Sequence, residues 1–187
     1  MTAILTRTAP DATPAPCWGP GTAALAAPPA LLAWLTEPGL LTERVRCLCP
    51  GRFGLRIIDQ RHDRLDMADA AALAVAPGAC FVREIELGCG DEAIVFAQTL
   101  VPAATLAAEP WLAELGEEAL GPRLARTGHA RRDPLEFARL EPRQALFRRA
   151  WRSAGALPAA LWARRARYWL GGHGLVVQEV FLPGTLP

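Results

Sequence analysis

Ala79-Cys80-Phe81-Val82-Arg83-Glu84-Ile85-Glu86-Leu87, then Gly88-Cys89-Gly90-Asp91-Glu92, then Ala93-Ile94-Val95-Phe96-Ala97-Gln98-Thr99-Leu100-Val101 run consecutively, and their reading decides the fold. The outer runs are apolar and rich in β-branched and aromatic residues. The middle one is a turn-rich link of hairpin length, so the two runs should pair antiparallel. Pro102 ends the second strand, because it has no N–H to give to a ladder. The chain closes on another hairpin: Ala163–Leu170 reads as a strand, Gly171-Gly172-His173-Gly174 as its turn and Leu175–Leu182 as the return. Gly54–Asp59 and Leu135–Leu140 read as further strands. Hairpins dominate the order, which predicts an α+β domain, an antiparallel β-sheet with helices segregated to one face, and argues against a parallel doubly wound sheet.

Working outward, Pro29–Thr36 reads as a short helix, with Leu31, Leu32 and Leu35 on one face and Trp34 beside them, stopped by Pro38-Gly39. A second helix is expected over Leu40–Arg46, and Arg64–Leu73 reads as a helix or an ordered loop. Ala103–Leu115 and Glu117–Ala125 read as short helices separated by Gly116, with Glu117 and Glu118 suited to a helix start. Residues 1–27, rich in Ala, Pro, Thr and Gly, suit a flexible N-terminal arm, which leaves 28–187 as a single domain.

A chain of 187 residues with 51% apolar content fits one such domain with ample core. Its 20 basic and 19 acidic side chains nearly cancel, which removes the strong field expected of a nucleic-acid or anionic-membrane binder. No secretion signal and no membrane-spanning run is visible, so the expectation is a cytoplasmic protein without stable membrane insertion. Cys17, Cys47, Cys49, Cys80 and Cys89 are odd in number and form no Cys-x-x-Cys pair; reduced thiols are the default. Cys47 and Cys49 would share a face if on a strand, but no second ligand pair accompanies them, and His62, His129 and His173 are scattered. No metal site is expected.

Two charges stand out. Glu179 lies in the apolar run Val176-Val177-Gln178-Glu179-Val180-Phe181, where an ionised carboxylate is costly unless it is paired or meets a polar ligand. Arg83 lies between Val82 and Ile85 in the first hairpin and can supply a fixed cation to the same pocket. The two are either a structural ion pair across strands or a site. Glu84 points to the opposite strand face and is expected to meet solvent.

The ordered set Arg83-Glu84-Ile85, Thr99-Leu100-Val101-Pro102, Leu120-Gly121, Trp162-Ala163-Arg164-Arg165-Ala166-Arg167 and Glu179-Val180-Phe181-Leu182-Pro183 resembles the chorismate pyruvate-lyases of ubiquinone biosynthesis, from about Leu31 to the end of the chain. The resemblance implies conversion of chorismate to 4-hydroxybenzoate and pyruvate without a cofactor. It implies substrate binding by Leu41, Arg83, Leu120 and Glu179, with Glu179 and Arg83 also catalytic. Chorismate is a dianion, so its site needs a guanidinium, backbone donors and an acceptor for the ring hydroxyl. Whether Glu179 removes the proton or only orients the substrate stays open. The resemblance also implies a monomer in transient contact with a membrane-bound prenyltransferase.

The stretch from Glu141 to Pro158 departs from the family pattern by an extra helix. Its arginines and Trp151 admit a nucleic-acid surface or a partner-docking helix; an amphipathic helix with Leu146, Phe147 and Trp151 packed is the commoner arrangement. The main competing function is a non-catalytic small-molecule sensor, as in the UTRA-like effector domains of bacterial regulators that share a similar fold. A lyase acting on another chorismate-like acid is the third reading.

Overall fold

The computed structural model describes residues 13–153 and 155–184. Seven strands form one sheet: β1 (Phe53–Arg64), β2 (Ala79–Cys89), β3 (Glu92–Pro102), β4 (Arg131–Arg132), β5 (Glu136–Leu140), β6 (Leu161–Leu170) and β7 (His173–Phe181). Their order is β1-β2-β3-β7-β6-β4, with β5 also on β6, and every pairing is antiparallel. Both hairpins form as the turn chemistry predicts. Gly171 and Gly172 carry φ of +53° and +94°, the left-handed pair that a two-residue hairpin turn requires. The β3–β7 pairing joins the two hairpins and puts the C-terminal strand in mid-sheet.

Six short helices cover the sheet: α1 (Pro29–Leu35), α2 (Leu41–Leu48), α3 (Met67–Ala72), α4 (Ala103–Ala108), α5 (Leu120–Thr127) and α6 (Ala145–Ala150). One face packs Ile85, Leu87, Ala97 and Phe181 under α1 and α2, and Phe81, Val101 and Leu175 under α4 and α5. The four helices on this face match the expected segregation. The opposite face is closed as well: Val82, Leu100 and Val176 lie under α3, and Phe96, Ala138 and Val180 under α6, because these strands are apolar on both sides.

Several expectations change. β1 continues past Asp59 to Arg64, since its polar half stays in the β2 ladder beyond a bulge at Ile57/Asp59 and Arg61 pairs with Asp59 and Asp63. The Arg64–Leu73 alternative resolves as helix α3, capped by Asp66, whose side chain accepts from Asp69 N at 2.8 Å. α5 begins at Leu120, not Glu117. Glu84 is buried, not solvated: its carboxylate takes hydrogen bonds from Gln98 (2.8 Å), Arg149 (3.1 Å) and Arg61 (3.2 Å).

The all-thiol reading fails at one pair. Cys49 caps α2 and Cys89 ends β2, and they form a disulfide with Cα atoms 5.2 Å apart, while Cys17, Cys47 and Cys80 are free. Cys47 and Cys49 are therefore at a helix end, not on one strand face. The 40-residue separation of Cys49 from Cys89 conceals the approach in the sequence.

Residues 1–12 of the expected arm lie outside the described residues. The rest of it touches the sheet: Gly19 and Phe137 exchange backbone hydrogen bonds of 3.0 and 2.7 Å, Leu25 O accepts from Trp162 Nε1 at 3.0 Å, and Trp18 lies under the Arg165 guanidinium. The helix expected between Glu141 and Pro158, α6, is amphipathic, burying Leu146, Phe147 and Ala150 and leaving Arg148 exposed. Among the described residues no helix is long and apolar enough to cross a membrane.

Candidate active site

On the face beneath α2 and α5, β2, β3, β7 and β6 floor a cavity of about 40 Å³. Strand alternation puts Arg83, Ile85, Ala97, Thr99, Val177, Glu179, Arg164 and Tyr168 on this face, and all of them line it. The roof is Leu41 and Thr42 at the start of α2, with Leu120 and Gly121 at the start of α5. All four residues assigned by resemblance, Leu41, Arg83, Leu120 and Glu179, thus meet at one cavity. The leucine side chains are buried, so what they can offer a ligand is backbone. Neither helix has a side-chain hydrogen bond at its N-cap, Leu40 or Ala119, so the first-turn N–H groups lack that partner.

Arg83 is only 2% exposed. Its Nη2 donates to the carbonyl oxygens of Gly116 (2.8 Å) and Glu118 (3.0 Å), which pin the guanidinium. No carboxylate pairs with it, and Nε is buried with no hydrogen-bond partner among the described residues. Burial depresses its pKa below the usual arginine value, which marks the cost of holding this cation desolvated. A buried donor kept waiting in this way calls for an anionic ligand atom.

Glu179 is paired, but not with Arg83. Its Oε2 accepts from Arg164 Nε at 2.5 Å, and Arg164 Nη1 reaches the carbonyl oxygens of Glu37 (2.8 Å) and Trp34 (3.5 Å). The structural ion pair that was the alternative for Arg83 and Glu179 is replaced by this arrangement. Arg164 was not singled out as a site residue, although the signal was present: a Gly171-Gly172 turn pairs Leu170 with His173, and counting back puts Arg164 opposite Glu179. Tyr168 was also missed; burial and the nearby Glu179 carboxylate push its phenol pKa up.

An outer chamber of about 370 Å³ adjoins the cavity, sharing Gly39, Leu40, Gly121, Leu124 and Tyr168 with it and adding Arg132, whose Nη2 donates to Pro38 O at 2.8 Å. Their shared wall is closely packed: a Cβ added to Gly121 would lie 3.2 Å from Leu40 Cδ2. A separate cavity of about 180 Å³ on the other face lies between α3 and α6, but it contains none of the predicted residues. Among the described residues no group of three or more His, Cys, Asp or Glu side chains is placed to hold a metal.

The fold and the site define an α+β antiparallel-sheet domain with a small cavity between sheet and helical cover, lined by a buried guanidinium that no carboxylate pairs among the described residues. The sequence profile of the chorismate lyase family matches residues 14–186, and the chain belongs to that family. It is 37% identical over 163 residues to a probable chorismate pyruvate-lyase of Azoarcus sp. (strain BH72), covering 83% of this chain and 85% of that one. A probable chorismate pyruvate-lyase of Thiobacillus denitrificans is 37% identical over 167 residues, covering 87% and 88%. Among solved structures, a GntR-family transcriptional regulator from Bacillus cereus superposes with a TM-score of 0.55 at 14% identity, over 73% of this chain and 95% of that one. The effector domain of PhnF from Mycobacterium smegmatis superposes with a TM-score of 0.54 at 15% identity, over 78% and 89%. These two likenesses concern the fold alone.

Proposed function

We propose that this protein is a chorismate pyruvate-lyase, releasing pyruvate from chorismate and leaving 4-hydroxybenzoate. The observation that carries the reading is Arg83: a buried, pinned guanidinium with an unpartnered Nε, facing a cavity roofed by two helix starts that lack side-chain caps and floored by Glu179. Family membership supports it.

In this reading Arg83 Nε and the backbone N–H groups of Leu41 and Leu120 receive carboxylate oxygens, and Glu179 accepts from the ring hydroxyl. The ether C–O bond breaks, the ring loses a proton, and the departing enolpyruvate takes up a proton to become pyruvate. Aromatisation drives the step, so the protein's work is to hold one conformer, exclude water and stabilise charge on the leaving group. No cofactor is called for. An inner cavity of about 40 Å³ is too small for the substrate, so the 36–41 segment lifts from α5 to admit it. The same reading makes the product the first committed precursor of ubiquinone and the cytoplasm its place of action, with hand-over to a membrane-bound prenyltransferase.

The test is incubation of purified protein with chorismate and no added metal, following 4-hydroxybenzoate by absorbance, beside Arg83→Ala and Glu179→Ala. Turnover by wild type and a loss of about 100-fold or more in each variant is expected. Binding of chorismate without turnover would replace the lyase by the sensor reading; turnover to a different product would make it a lyase for a related acid.

A further inference from the structure

Arg164 joins the floor of the cavity to the segment that covers it. Its Nε holds Glu179 Oε2 at 2.5 Å, across the β6–β7 pair. Its Nη1 donates to Glu37 O at 2.8 Å and lies 3.5 Å from Trp34 O. Trp34 is in the last turn of α1, where carbonyl groups lack intrahelical donors and attract a cation. Glu37 begins the loop that leads into Leu41 and the roof of the cavity.

That loop is internally braced, so it moves as a piece. Glu37 Oε1 accepts from Gly39 N (3.0 Å), Glu37 Oε2 accepts from Arg44 Nη1 (2.6 Å), and Arg44 also bonds Ala33 O (2.6 Å) and stacks 4.2 Å over Trp34. Two arginines of the sheet hold it down: Arg132 Nη2, on the edge strand β4, donates to Pro38 O at 2.8 Å, and Arg164, which is 2% exposed, ties it to the floor of the site. If the loop lifts to admit a ligand, Nη1 loses Glu37 O, its short acceptor, and keeps only the 3.5 Å contact to Trp34 O in α1, in a place with little water. The guanidinium must then follow the loop or turn elsewhere, and Glu179 loses a fixed partner.

We propose that Arg164 is a positioning residue that makes the reactive orientation of Glu179 conditional on closure of the Thr36–Leu41 cover. With the cover down, Oε2 is held by Arg164 and Oε1 is left for the substrate; with the cover up, the carboxylate is unfixed. This rests on the lyase reading of the cavity.

The experiment compares wild type, Arg164→Lys and Arg164→Ala in two measurements: steady-state chorismate turnover with and without added guanidinium ion, and hydrogen exchange of peptides spanning residues 36–41 with and without 4-hydroxybenzoate. A misplaced carboxylate is expected to cost about 100-fold in kcat in Arg164→Ala, with a smaller loss in Arg164→Lys. Guanidinium should restore part of the alanine variant's activity. Ligand should slow exchange at 36–41 in wild type and do so much less in both variants. If wild type turns over and the folded lysine variant keeps both its kcat and its ligand-dependent protection, the proposal is wrong. Loss of kcat with no guanidinium rescue and unchanged protection also overturns it, leaving a merely structural arginine. Wild type that does not turn over chorismate overturns the lyase reading instead, before any variant is made. The lysine variant carries the test if the alanine variant does not fold.

Discussion

At the scale of single residues, the site was partly legible because charge at strand spacing among apolar neighbours is conspicuous. Arg83 and Glu179 stood out on that ground, and both line the cavity. Arg164 did not, because a run of three arginines among six residues reads as surface until the register of the β6–β7 turn is counted. Glu84 was misplaced for the converse reason: strand alternation gave its face correctly, but nothing local showed that Arg61, Gln98 and Arg149 would converge there. The geometry of Arg83 gives a sharp expectation. Lysine keeps the charge but cannot bond Gly116 O and Glu118 O while also presenting a second fixed donor, so Arg83→Lys should lower kcat/KM for chorismate by about 100-fold while thermal unfolding shifts little. A lysine variant with near wild-type kcat/KM would show that the site needs only a charge there.

At the scale of elements, the hairpins were readable from turn chemistry, since Gly171-Gly172 and Gly88–Glu92 admit few alternatives. The starts of α1 and α4 were readable as well, at Pro29 and Ala103, but that of α5 was not. Glu117 and Glu118 look like an N-terminal turn, yet Gly116 sits at φ +53° and the Gly116 and Glu118 carbonyls turn toward Arg83, which keeps the backbone out of the helix until Leu120. α2 is fixed at its far end by a bond that the sequence hid. The Cys49–Cys89 disulfide closes a loop of 40 residues and ties the C-cap of α2 to the end of β2. Cys89→Ser should lower stability in denaturant titration by about 4 kcal/mol on the loop-entropy scale, and dithiothreitol should do the same to wild type. Equal midpoints with and without reductant would show that the pair contributes nothing to the folded state.

At the scale of the whole molecule, the sheet separates two environments. One face holds the cavity; the other buries an ionic network beneath α3 and α6. There Asp69 accepts from Gln178 at 2.7 Å and lies 3.8 Å from Arg165 Nη1, and burial pushes its pKa up to about 6 from 3.8. The folded protein therefore binds this proton more tightly than the unfolded chain does. The associated stability is complete below about pH 4 and is lost as pH rises through 6, by about 3 kcal/mol at most. Asp69→Asn keeps an acceptor for Gln178 and carries no charge, so its stability relative to wild type should rise between pH 4 and pH 8. A constant difference across that range would assign the pH dependence to other groups.

The order of strands and turns, the apolar runs and the placing of Arg83 and Glu179 on strands follow from the sequence alone, because side-chain period and turn chemistry act over a few residues. What faces what was decided by tertiary structure. The β3–β7 pairing, the covering of both sheet faces, the Cys49–Cys89 bond, the orphaned Nε of Arg83 and the hold of Arg164 on both Glu179 and the α1–α2 loop join residues far apart in the chain, and such contacts form only where burial of the whole sheet outweighs the entropy of closing long loops.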